Sequence, residues 1–200
     1  MGSSTGRSLP VFVITGPSGA GKGTLERELL RLMPDRLELA VSATTRPQRP
    51  SERDGYHYWF LDEAEFDRRV GADEFLEWVV YVSGHRYGTL RSEIDRIRAA
   101  GRAPLLDLEV EGAMRLRDEV DGSVTVFVDA PLDELEARLR ARATESSGEI
   151  GERLALARRQ KDQAAEFQYV VVNDDLDEAL EELAQIVERE LNSTATMSRP

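Results

Sequence analysis

The chain has 200 residues, 40% of them hydrophobic and 32% charged, which suits one compact α/β domain with room for a small inserted lobe. The net charge of −12 argues against a general nucleic-acid or anionic-membrane binder, and no apolar run approaches the ~18 residues of a transmembrane helix. Cysteine is absent, which excludes disulfides and thiolate metal sites, and two histidines, His57 and His85, are too few for a typical zinc centre.

The first eight residues have no apolar core and read as a short flexible leader rather than a secretory signal, so a cytoplasmic location is expected. Residues 9–15 (LPVFVIT) form an apolar, β-branched run, expected as a strand buried on both faces. A glycine-rich break over 16–21 precedes a helix over Thr24–Met33, with Leu25, Leu29, Leu30, Leu32 and Met33 as its stripe and Pro34 as its stop. Residues 42–89 depart from this rhythm. They are rich in Arg, Tyr, Trp and Gly, with short alternating runs such as Tyr56–Phe60, and read as a small mixed lobe inserted into the core.

The strand–helix alternation then returns. Strands are expected at Pro104–Leu108, Val124–Val128 and Tyr169–Val172, and helices at Val110–Val120, at Leu132–Arg142 with Pro131 at its first position, and at Leu176–Leu191. Residues 138–159 are crowded with arginine and interrupted by Thr144–Gly148, the pattern of a mobile helical flap. Strands alternating with helices imply a parallel sheet covered on both sides.

The first break reads Gly16-Pro17-Ser18-Gly19-Ala20-Gly21-Lys22-Gly23-Thr24. This is a G-x4-G-K phosphate loop, whose backbone N–H groups wrap a β-phosphate and whose helix N-terminus adds positive potential. Lys22 would reach the β- and γ-phosphates. Gly23 occupies the usual Ser/Thr position, so the magnesium hydroxyl would come from Thr24, one residue later. All but two of the 26 basic residues are arginine, and one of the two lysines falls in this loop.

Arg46 and Arg49 stand three apart beside prolines, with Tyr58 and Tyr87 in the same lobe. Arginine forks and phenols suit a monophosphate dianion; a solvated basic turn is the alternative on this segment alone.

Taken together, G16PSGAGKGT, S42ATTRPQRPSERDGYHYWF, F75LEW, Y87GT, L106DLEVEGA, R138LRAR and V172NDDLDEAL resemble the guanylate kinases, in family order across residues 9–190. The resemblance implies the P-loop nucleoside monophosphate kinase fold. That fold has a five-stranded parallel core (9–41, 90–137 and 160–191), a GMP-binding lobe (42–89) and a helical lid (138–159), with flexible tails at 1–8 and 192–200. The activity implied is transfer of the ATP γ-phosphoryl group to GMP, and to dGMP, giving GDP and ADP in purine nucleotide metabolism with Mg²⁺ as cofactor. Gly16 to Thr24 and Asn173 would bind ATP, with Thr24 on the metal. Arg46, Arg49, Tyr58 and Tyr87 would hold the GMP phosphate; Ser42, Glu77 and Thr89 would read guanine, with Asp107 and Glu109 completing the base and metal environment. Lys22, Arg46, Arg138, Arg142 and Arg153 would serve the transfer. Two departures stand out: Glu109 replaces the family's usual Asp, and the Glu77–Tyr87 segment is one residue longer than in the commonest members. The implied partners are ATP and GMP alone, with no nucleic acid and no membrane, in a monomer or homodimer. A P-loop kinase for another phosphorylated acceptor should lack the intact T44TRPQRP segment and Glu77. A non-enzymatic binding module typically loses the loop lysine.

Overall fold

The computed structural model describes residues 8–81, 83–120, 122–141 and 147–196. Its centre is β1 (Val11–Thr15), every residue of which is buried. Around it β2 (Leu37–Leu39), β7 (Ala103–Asp107), β8 (Ser123–Asp129) and β9 (Tyr169–Val172) complete a five-stranded sheet in the order β2-β7-β1-β8-β9, all parallel. β1 pairs on both sides, so its side chains alternate between two cores. Phe12 and Ile14 pack with Leu25 and Leu29 of α1 (Lys22–Leu32) and with Leu183, Val187 and Leu191 of α7 (Leu176–Thr196). Val11 and Val13 point the other way, to Ile94 of α3 (Arg91–Ala99) and to Val110, Ala113 and Leu116 of α4 (Val110–Glu119).

β2, three residues at the sheet edge, is the strand that no apolar run announces. α1 begins at Lys22, two residues before the expected start, because Gly21 already takes the turning conformation (φ 90°). Pro131 lies just outside α5 (Leu132–Ala141) rather than at its first position, its carbonyl accepting from the Leu135 N–H (2.9 Å). α6 (Ser147–Asp162) takes in Ser147 and Gly148, expected in the interruption; residues 142–146 lie outside the described residues. At its far end Lys161 ties α6 to β8, donating to Asp129 and to the Ala130 carbonyl (2.7 Å). No helix among the described residues is long and apolar enough to cross a membrane.

The inserted lobe carries a four-stranded mixed sheet in the order β4-β3-β6-β5, from β3 (Ala43–Thr44), β4 (Trp59–Phe60), β5 (Phe75–Val80) and β6 (Arg86–Leu90). α2 (Glu63–Gly71) covers it, capped by Asp62, whose carboxylate accepts from the Glu65 N–H at 2.7 Å. The lobe has its own core of Ala43, Phe66, Phe75 and Leu90, with the Phe66 and Phe75 rings stacked at 4.4 Å. Glu93, 3% exposed on α3, grips the lobe's root by accepting from the Val41 N–H at 3.1 Å. Replacing fully buried Phe66 by alanine is expected to cost about 3–5 kcal/mol in denaturant unfolding, since no neighbour can refill a whole ring.

Candidate active site

The turn from β1 into α1 is built by close approach. A Cβ at Gly16 (φ 137°) would stand 2.0 Å from the Val128 carbonyl oxygen, and one at Gly21 would stand 2.3 Å from Asn173 Nδ2. Neither position tolerates a side chain, and both need the left-handed backbone that glycine adopts freely. No side chain caps α1 and its first turn carries no acidic residue, so no side chain offsets the positive potential at its N-terminus. Lys22 Nζ donates to the carbonyls of Gly16 (2.7 Å) and Pro17 (3.3 Å), which folds the ammonium over the loop.

Two depressions flank this loop. One, lined by Ser18, Gly19, Lys22 and Thr24 with Asp107 opposite, suits phosphates; the other, lined by Gly21, Thr24, Arg138, Asn173, Asp174 and Leu176, is flatter and more apolar. Asn173, 4% exposed, pins the loop by donating Nδ2 to the Ala20 carbonyl (2.7 Å). Arg138 reaches the Gly19 and Asn173 carbonyls (3.4 and 3.1 Å) and pairs with Glu134, so it belongs to the loop's flank at the end of α5. Arg153 is exposed on α6, and Arg142 lies outside the described residues.

Between the lobe and the segment from the end of β7 into α4 lies a cavity of about 250 Å³, whose lining includes Ser42, Tyr58, Glu77, Tyr87, Asp107 and Glu109, all anticipated in the sequence. Glu77, 8% exposed, accepts from Thr89 Oγ1 at 2.9 Å, and burial pushes its carboxyl above the ordinary range despite that bond. Asp107, at the end of β7, is raised by its recessed setting and by Glu109, while Lys22 pulls it down. Tyr58 and Tyr87 meet edge to face at 5.9 Å, and the Arg46 guanidinium lies 5.4 Å over the Tyr58 ring. Arg49 is exposed beside them.

Three groups escaped the sequence reading. Glu52 receives Arg46 bidentately (2.7 and 3.0 Å) and the Arg49 N–H (2.8 Å), which fixes the arginine fork and holds Glu52 down at about 2. An acid inside an arginine-rich turn was the available signal. Tyr81 joins the pocket lining through a hydroxyl bond to Glu109 Oε1 at 3.0 Å. Glu26, on α1 one turn beyond Lys22, is 6% exposed, and its Oε1 has no hydrogen-bond partner among the described residues. Burial first, and Asp107 second, push its carboxyl up to about 8 against the pull of Lys22.

A five-stranded parallel sheet with a glycine-rich phosphate loop after its central strand, and a mixed-sheet lobe inserted over the cleft, defines the P-loop nucleoside monophosphate kinases. The guanylate kinase family model matches residues 8–190. The guanylate kinase of Synechococcus is 43% identical over 88% of this chain and 81% of its own, and that of Synechocystis 42% over 90% and 94%. A crystal structure of guanylate kinase from Anaplasma phagocytophilum superposes with a TM-score of 0.70 at 26% identity, covering 92% of this chain and 87% of its own. The chain belongs to the guanylate kinase family.

Glu26 yields a pH test. Its folded-state value of about 8 exceeds the ordinary 4.5, so the fold takes up a proton, and stability falls as pH rises from about 4.5 to 8. In nucleotide-free protein with chelator present, Glu26→Gln should flatten that decline, gaining on the order of 3 kcal/mol over wild type above pH 8 in chemical denaturation. Parallel stability curves for the two proteins would place the ionised carboxylate in water.

Proposed function

We propose that the chain catalyses ATP:GMP phosphotransfer, with the loop of residues 16–24 holding the ATP phosphates and the lobe holding GMP. The buried Glu77–Thr89 pair carries this reading. Guanine offers N1–H and N2–H donors side by side, which one carboxylate accepts together. Adenine has an acceptor at N1 and no 2-amino group, and would leave Glu77 desolvated and unmet.

The remaining roles follow from charge. Arg46, kept in position by Glu52, meets the GMP phosphate with Tyr58 and Tyr87, and Arg49 closes from the exposed side. The acceptor phosphate is a dianion over much of the neutral range (second pKa about 6), so no general base has to remove a proton before attack. The protein's task is then in-line positioning and stabilisation of charge on the transferring group. Lys22 at the loop mouth supplies it, joined in this reading by Arg138, Arg142 and Arg153, while Asn173 lines the adenine flank.

No set of three or more histidine or carboxylate ligands among the described residues could cage a metal. Thr24 and Asp107, which both line the phosphate depression, fit an ion that keeps most of its waters, as Mg²⁺ does. Bound Mg²⁺ would withdraw charge from the β- and γ-phosphates; Thr24 would hold it, and Asp107 would orient its waters. The reading includes dGMP as a second acceptor and work in the cytoplasm, in purine nucleotide supply.

A coupled assay with ATP and a panel of monophosphates tests this directly: GMP should far exceed AMP and UMP, and equal use of all three would refute it. Lys22→Ala should lower kcat by a factor on the order of 10² or more without loss of fold. Glu77→Gln should cut the preference for GMP over AMP by ~1–3 kcal/mol, read as the ratio of kcat/KM.

A further inference from the structure

Tyr81 stands at the base of the hairpin that joins β5 to β6. Its N–H donates to the His85 carbonyl (2.9 Å) and its carbonyl accepts from the Gly84 N–H (2.8 Å), so the backbone is fixed on both sides. The side chain turns into the pocket. Its ring meets Tyr87 at 4.7 Å and its hydroxyl donates to Glu109 Oε1 at 3.0 Å.

Glu109 occupies the residue before α4 (φ −64°, ψ 155°) and its side chain makes no helix cap, a role that short acceptors such as Asp, Asn and Ser fill and the longer glutamate does not. The carboxylate instead faces the pocket, joined to the inserted lobe by Tyr81. Tyr81 engages Oε1, and Oε2 accepts from no described residue.

Guanine has three hydrogens on its recognition edge. Glu77 can take N1–H and one N2–H; the second N2–H, enclosed in the pocket, needs another acceptor. We propose that Tyr81 is a specificity-positioning residue, whose hydroxyl holds the long Glu109 side chain so that its free oxygen accepts the second N2 hydrogen of guanine. This rests on guanine occupying the Glu77 pocket.

Hypoxanthine lacks the 2-amino group, so inosine monophosphate is the probe. Tyr81→Phe keeps the ring on Tyr87 and removes only the hydroxyl. It should lower kcat/KM for GMP about tenfold, chiefly through KM, and leave that for IMP unchanged. Glu109→Asp withdraws the carboxylate from the hydroxyl's reach, and in that background Tyr81→Phe should have no further effect. Equal losses for GMP and IMP, no change for GMP, or the same Tyr81→Phe effect in both backgrounds would each overturn the proposal. Glu77→Gln separates the two levels: if it leaves GMP preferred over AMP as strongly as before, guanine sits elsewhere and the pocket reading fails. If it responds and Tyr81→Phe does not, only the role of Tyr81 fails.

Discussion

The structure depends on one steric constraint, the approach of Gly16 to the carbonyl of Val128. β1 and β8 are hydrogen-bonded neighbours, and the chain can leave β1 toward the cleft only by passing where a methyl group would overlap that carbonyl. Gly21 repeats the requirement against Asn173 at the other end of the turn. Between these two points the backbone has little freedom, and α1 opens without a side-chain cap. The rest of the core serves this turn: apolar layers above and below β1 hold the strand rigid, and Asn173 and Arg138 tether the loop carbonyls from the far side.

A second regularity runs through the polar groups. Several of the side chains assigned to substrate already have a protein partner. Arg46 lies against Glu52, Glu77 against Thr89, Glu109 against Tyr81, and Lys22 against its own loop. Such partners set rotamers before a ligand arrives and reduce the entropy lost on binding. Glu26, which has no substrate role, is a buried carboxyl with an oxygen unmet, tolerated because its proton stays on across the neutral range.

Much of the core was legible in the sequence because burial on both faces leaves continuous apolar runs. VFVIT, PLLDL and VTVFV each became a strand within a residue or two of the run, and so did YVVV, although that edge strand buries only Val171. β2 was not legible because a three-residue edge strand buries too little to leave a pattern, and the lobe helix α2 was hidden among charges, its packing resting on Phe66. The phosphate loop could be anticipated because its chemistry demands particular residue types at fixed spacing, whereas Glu77 stood out only through the resemblance of its segment to the guanylate kinases. Tyr81 could not, since its importance comes from a contact 28 residues away that no local pattern records. Glu52 lay within the motif, but its role as the partner of Arg46 needed the folded turn.

The near-absence of lysine has a consequence for chemical labelling. Apart from the chain's α-amine, a reagent that acylates amines meets only two side-chain targets, Lys22 and Lys161. One sits at the mouth of the phosphate loop and the other fastens α6 to the end of β8. Guanidinium groups, which carry nearly all the remaining positive charge, do not react under the same conditions. Acetylation or trinitrophenylation therefore reports on these two sites with almost no background, and protection by nucleotide can be read from a single modified residue.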